Sequence, residues 1–188
     1  MTRDSASLKQ ALVELTPKLR AFALSLSGNA DRANDLVQET LLKAWHNIDH
    51  FEEGTNLRAW LFTILRNTYF SECRKRRREV EDRDGAFAAE LTVGAPQPGH
   101  MDLQDLRNAL DRLPADHREA LILIGGAGFS YEEAAEICGV AVGTIKSRVN
   151  RARNKLAAIM GLTAETVGPR QINTNASARV PAPERARA

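Results

Sequence analysis

His46 and His50 stand four residues apart, a spacing that would put two imidazoles on one helix face and supply half of a metal site. No third ligand accompanies them, and the adjacent Glu of a zinc-protease helix is missing, so the pair is not read as a metal centre. Gly125-Gly126-Ala127-Gly128 is glycine-rich, but no Lys-Ser/Thr follows, so it predicts an inter-helix turn and not a phosphate cradle. Cys73 and Cys138 lie in separate regions and read as buried thiols of a reducing compartment. No Ser/His/Asp or Cys/His constellation is evident, so the chain is expected to be no enzyme and to need no cofactor. The chemistry that remains is recognition of polyanions, and it rests on where the cations fall.

The 188 residues carry 26 Lys+Arg against 24 Asp+Glu, a formal net charge of only +2. Segment by segment the balance alternates. Residues 54–80 and 142–160 each sum to +5, whereas 28–53 sum to −4, 81–100 to −3 and 101–141 to −5. Two compact basic blocks, each with an organised opposite face, point to nucleic acid. The longest apolar run, Ala120 to Gly128, is about half a bilayer span, and MTRDSASLKQ lacks the apolar core of a secretory signal. A cytoplasmic location without membrane insertion is expected.

The elements that must position these blocks are helical throughout. Leu8, Leu12, Leu15, Leu19, Phe22, Ala23 and Leu26 recur at helical spacing, with Pro17 expected to restart the helix after Thr16. A second helix is predicted from about 30 to 48, with Ala33, Val37, Leu41, Ala44 and Ile48 as its core stripe, and a third from about 56 to 78. Residues 83–102 change composition, with three Gly, two Pro and no helical stripe in GAFAAELTVGAPQPGH, and read as a linker. Shorter helices are predicted near 102–112, 114–124, 130–138 and 142–158, and the polar, Ala/Pro-rich residues beyond Gly161 as disordered. The fold class is therefore all-α: two small helical domains, 1–82 and 102–160, joined by a flexible linker at 83–101 and followed by a disordered tail at 161–188.

Ser130-Tyr131-Glu132-Glu133 is a capping box, and the helix it opens stops at Gly139, where a left-handed turn is easiest. A second helix restarts at Val142-Gly143-Thr144, giving a helix-turn-helix. At 100° per residue Ile145, Val149, Ala152 and Leu156 make one narrow core stripe. Ser147, Asn150, Arg151 and Asn154 lie opposite, flanked by Lys146 and Arg153 on one side and by Arg148 and Lys155 on the other. No acid occurs between Val142 and Met160. Such a strip suits a major groove, with the centre reading base edges and the flanks holding phosphates.

The stretch GFSYEEAAEICGVAVGTIKSRVNRARNKL resembles the region-four helix-turn-helix of extracytoplasmic-function (ECF) sigma factors, most closely the EcfG-type general-stress-response branch of alphaproteobacteria. The resemblance implies promoter recognition on behalf of core RNA polymerase. Thr144, Lys146, Ser147, Arg148, Asn150, Arg151 and Arg153 would contact the minus-thirty-five element, with Arg148 and Arg153 on its backbone. Ala141 departs slightly from the family pattern, since Pro or Ser often stands there; the change removes a helix-start aid but no contact.

In the first domain Asp35, Gln38, Glu39 and His46 point away from the core stripe, with Leu42 among them. Leu42 is either an ordinary single surface apolar residue or the anchor of a docking surface for a basic partner. DLVQETLLKAW resembles the region-two polymerase-binding helix, which implies that Asp35, Gln38, Glu39, Leu42 and Trp45 face core polymerase. In the next helix Leu57, Leu61, Ile64 and Thr68 form the expected core face, while Phe62, Tyr69 and Phe70 lie off it among Arg58, Arg66 and Arg74. The rings either stack unpaired bases or seal the domain core. NLRAWLFTILRNTYFSECRKRRR resembles the segment that recognises and opens the minus-ten element. That implies contacts from Asn56, Arg58, Trp60, Arg66, Tyr69 and Arg74, with a flipped base cradled by the loop 51–56.

The expected function is thus an ECF sigma factor for stress-response promoters, binding core polymerase and promoter DNA. Two other classes compete with it: a sigma-like decoy that sequesters an anti-sigma factor, and a helix-turn-helix repressor. A decoy would be expected to lose its DNA-contact residues, and a repressor has no use for the acidic docking surface or for Arg74–Arg78. The resemblance further implies silencing by an anti-sigma factor of the NepR type packed between the domains. The acidic stretch 81–141 is expected to cover the basic helices in part when the factor is silent.

Overall fold

The structure, a computed structural model, describes residues 5–52, 54–81 and 103–161, with side chains described for 9–52, 54–78 and 104–161. Helices α1 (Ser5–Ser27), α2 (Ala30–His46) and α3 (Leu57–Glu81) form the first half, with a single 3-10 turn at Ile48–His50. Helices α4 (Leu103–Asp111), α5 (Ala115–Leu121), α6 (Tyr131–Cys138) and α7 (Val142–Ile159) form the second, and a wide π-type turn, Ile122–Gly126, extends α5. All regular structure among the described residues is helical, as the patterning predicts. The expected linker at 83–101, and the tail after Gly161, fall outside the described residues.

Two details of the first half differ from expectation. Helix α1 runs through Pro17 without restarting. The hydrogen bond that Pro17 cannot donate would have gone to the carbonyl of Val13, and Val13 is 67% exposed, so water is close at hand for that acceptor. The neighbouring Thr16 hydroxyl donates to the Leu12 carbonyl at 2.8 Å. In α2, capped by Asn29 accepting from the Arg32 amide at 2.9 Å, the buried stripe is Ala33, Val37 and Ala44 joined by Leu36 and Thr40. Leu41 and Ile48 are only half-buried.

Helix α3 departs further. Leu61 and Thr68 are buried as expected, Leu57 and Ile64 only partly, and Ala59, Trp60, Phe62, Leu65 and Tyr69 are buried as well. The reason is that α3 is packed on two sides: α1 and α2 cover one, and α6 with the loop before it covers the other. Phe62 stacks on Phe22 of α1 at 4.9 Å and meets Phe129 from the second half in a T-shaped contact, also at 4.9 Å. A helix with a single partner shows a single stripe, whereas α3 carries a second apolar face because it is the seam of the molecule. Full burial of each of these three rings contributes roughly 1.5–3 kcal/mol.

The second half follows its sequence signals closely. The Ser130 hydroxyl accepts from the Glu133 amide at 3.1 Å and the Glu133 carboxylate accepts from the Ser130 amide at 2.8 Å, completing the capping box. Gly139 ends α6 at φ 65°, a left-handed position open to glycine without strain. Ile145, Val149 and Ala152 of α7 are buried, and Leu156 is half-buried.

Candidate nucleic-acid interface

Once the core stripe of α7 is packed against α5 and α6, the opposite face must point outward. Lys146, Ser147, Asn150, Arg151, Asn154 and Lys155 are all exposed, while Thr144 and Arg153 are half-buried. The Ser147 hydroxyl donates to the Thr144 carbonyl at 2.9 Å, and the Lys146 ammonium sits 5.9 Å from the centre of the Tyr131 ring. Arg148 turns inward, its Nε 3.2 Å from the Asp116 carboxylate, so here it braces α7 on α5.

The cations of α3 divide into two groups. Arg74 to Arg78 are exposed, Arg74 donating to the Ser71 hydroxyl at 2.9 Å. The cations nearer the start of the helix are engaged by the second half. Asn56 caps α3, its Oδ1 accepting from the Ala59 amide at 3.1 Å, and its Nδ2 donates to Glu133 Oε1 at 2.6 Å. The Arg58 guanidinium lies 4.0 Å from the Phe129 ring centre, and its Nε is buried without a hydrogen-bond partner. Burial lowers the Arg58 pKa, against the opposing field of Glu133. Arg66 Nε donates to Glu119 Oε1 at 2.6 Å, and the guanidinium also covers Phe70 at 4.9 Å.

Glu119 is fully buried. Burial pushes its carboxyl above the ordinary 4.5, while Arg66 pulls it back. No N–H or O–H donor reaches its Oε2, and the Cys138 thiol beside it is the weak donor at hand. Burial, and then the Glu119 charge, push that thiol up to about 12, so Cys138 stays protonated at neutral pH.

Trp60 and Tyr69 are buried in this arrangement. Trp60 packs on Phe51 at 5.2 Å, and the Tyr69 hydroxyl donates to the Leu26 carbonyl at 2.8 Å. Two arginines of the second half reach the same end of α1: Arg118 donates to the Leu26 carbonyl at 3.4 Å and Arg107 to that of Gly28 at 2.8 Å. Sequence reasoning did not single out Glu119, Phe129, Arg107 or Arg118. The only hint was a lone acid at the edge of the apolar stretch beginning at Ala120.

On the far side of α2, Asp35 and Gln38 are exposed and Glu39 pairs with Lys43 at 2.6 Å. Leu42 and Trp45 are 60% and 46% exposed, and the Lys9 ammonium lies 5.5 Å from the Trp45 ring centre. These form an apolar pair edged by charge. The His46 ring bonds the Leu42 carbonyl through Nδ1 at 2.8 Å.

Residues 12–79 match the family described as Sigma-70 region 2, and residues 103–156 match Sigma-70, region 4. The chain is 62% identical over 164 residues to the ECF RNA polymerase sigma factor EcfG of Rhodopseudomonas palustris, covering 87% of this chain and 91% of that one. Among solved structures it is similar to the sigma factor RpoE of Bartonella quintana in complex with the anti-sigma factor NepR. That match has a TM-score of 0.73 and 58% identity, and covers 82% of this chain and 97% of the other. It is also similar to CnrH in complex with the cytosolic domain of CnrY, with a TM-score of 0.64 and 27% identity over 85% and 90% of the two chains.

Proposed function

The chain belongs to the ECF family of RNA polymerase sigma factors, and from that premise we propose how its surfaces divide the work. Asp35, Gln38, Glu39, Leu42 and Trp45 dock on core polymerase, the exposed Leu42 and Trp45 supplying apolar contact and the acids supplying steering. Thr144, Lys146, Ser147, Asn150, Arg151 and Arg153 meet the minus-thirty-five element in the major groove. Ser147, Asn150 and Arg151 offer donors and acceptors to base edges, and the lysines and Arg153 hold phosphates. Arg148 joins them when the backbone phosphate displaces Asp116, whose carboxylate is itself partly exposed.

Asn56, Arg58, Arg66 and Arg74 serve the minus-ten element, with the Arg74–Arg78 run tracking the single-stranded backbone. Trp60 and Tyr69 are buried here, so their part in melting requires that the second half move away from α3. The factor acts in the cytoplasm on stress-response promoters, contributes no catalysis of its own, and is held by an anti-sigma factor of the NepR type. The relative that crystallised with such a partner supports that last assignment.

The observation that carries the reading is the exposed, acid-free face of α7 behind a completed capping box and a left-handed glycine turn. In-vitro transcription with core polymerase and a promoter library tests it. Replacing Lys146 and Arg151 together with Ala abolishes promoter-specific transcripts while the circular-dichroism spectrum is kept. Undiminished promoter-specific transcription from that variant would sink the assignment.

A further inference from the structure

Among the described residues three large apolar side chains stand exposed: Val13 on α1, and Leu42 and Trp45 on α2. Single exposed apolar residues are ordinary, but these three share one face. The Lys9 ammonium lies 5.5 Å from the Trp45 ring centre, and Arg20 Nε donates to Asn34 Oδ1 at 2.7 Å. Both contacts set the same antiparallel register, which places Val13 level with Leu41 and between Gln38 and Trp45. At 100° per residue Val13 lies within about 40° of both Lys9 and Arg20, so it stands on the edge of α1 that meets α2.

The same turn of α1 carries a second irregularity. Pro17 has no amide to give to the Val13 carbonyl one turn back. That carbonyl is thus an acceptor beside an exposed isopropyl group. An interior proline weakens a helix, and α1 keeps this one on its outer face.

We propose that the polymerase-docking surface crosses from α2 onto α1: Val13 is a third apolar anchor beside Leu42 and Trp45, and its backbone carbonyl accepts a hydrogen bond from an amide or cationic donor of core polymerase. This rests on the docking role of α2 proposed above. Core polymerase is the occupant because the edge of α1 continues that surface. Half-buried Leu41 is level with Val13 and next to Leu42 in sequence, and Lys9 joins α1 to the Trp45 ring. The Lys9 contact restrains an indole that would otherwise turn freely in solvent, so less side-chain freedom is lost on docking. A partner that covers Val13 removes apolar surface from water and supplies the donor that Pro17 lacks.

The test titrates the full chain against purified core polymerase with four single variants. Val13→Ala and Pro17→Ala each raise helix propensity, so thermal melting by circular dichroism gives midpoints no lower than wild type. Val13→Ala loses the anchor and weakens binding about fivefold. Pro17→Ala returns an amide to α1, satisfies the Val13 carbonyl within the helix and weakens binding roughly threefold. A proline with a purely structural role gives the opposite sign, a firmer α1 with unchanged or tighter binding. Lys18→Ala, at an exposed position turned away from α2, leaves affinity unchanged. Leu42→Ala reports the underlying docking surface and weakens binding at least as much as Val13→Ala.

Wild-type affinity in either α1 variant, with Leu42→Ala weakened, overturns the extension and leaves the docking role of α2 standing. Wild-type affinity for Leu42→Ala overturns that role and the extension together. Unchanged polymerase affinity with altered self-association of the free chain, read by sedimentation, assigns the face to a second copy and overturns the proposal.

Discussion

Two helices of this molecule are similarly basic and meet opposite fates. Residues 54–80, with every cation of α3, and residues 142–160, with every cation of α7, each sum to +5. On α7 the polar face is open, and of its cations only Arg148 pairs with an acid among the ion pairs described. On α3 the cations split: Arg74 to Arg78 face solvent, while Arg58 and Arg66 lie under the second half against Phe129 and Glu119. Charge density therefore does not decide which surface is ready for DNA. The decision falls to the acids and rings of the neighbouring elements.

Equivalent substitutions in the two regions should separate them. The largest stability effect belongs to the seam: Phe62→Ala empties the space between Phe22 and Phe129 and costs about 3–5 kcal/mol in urea unfolding. Asn150→Ala and Arg151→Ala on the open face of α7 leave unfolding within about 0.5 kcal/mol. Under the proposed assignment each replacement removes a base-edge contact and costs promoter binding roughly 1–3 kcal/mol, read as promoter-specific transcription at limiting factor. A destabilised Arg151 variant, or a Phe62 variant of wild-type stability, breaks the division.

Gly139→Ala forces a side chain into the left-handed turn between α6 and α7 and costs about 1 kcal/mol in the same unfolding assay. A neutral outcome would show that the turn can relax.

The pH dependence of the seam has a definite sign. Glu119 has a folded pKa raised above the ordinary 4.5, so the folded chain keeps a proton that the unfolded chain has released. Its contribution to stability is fully present below 4.5 and is lost as pH rises through the folded value. The wild-type stability measured against Glu119→Gln therefore falls over that window, and a flat difference contradicts the burial of the charge. The smallest effect is chemical: the thiol of Cys138, pushed to about 12 and buried, resists iodoacetamide in the native chain, whereas half-buried Cys73 reacts first. Peptide mass spectrometry distinguishes the two.

The second half was legible in its helix boundaries and in the core stripe of α7, but not in the partners of Glu119, Phe129 and Arg148. Its signals are local: the capping box, the glycine stop and a single stripe on α7 each involve neighbours within a few positions. The first half was legible only where a helix has one partner. On α2, Ala33, Val37 and Ala44 could be read from periodicity, but Leu36 and Thr40 widen the buried face. On α3 the single stripe failed because Phe129 and Glu119, more than 50 positions away, bury Phe62 and Arg66 from the other side. The rings that the sequence left open between base stacking and sealing seal the seam here, Phe62 through Phe129 and Tyr69 through the Leu26 carbonyl. From the acidic stretch, Asp116 pairs with Arg148, Glu119 with Arg66, and Glu133 accepts from Asn56.

The contrast between the open face of α7 and the occupied start of α3 is tested most directly by arginine modification of the free chain with phenylglyoxal, resolved by peptide mass spectrometry. Arg151 should react at the rate of the denatured chain, while Arg58 and Arg66 should react about tenfold or more slowly until denaturant is added. Equal native-state rates at Arg151, Arg58 and Arg66 would contradict the account.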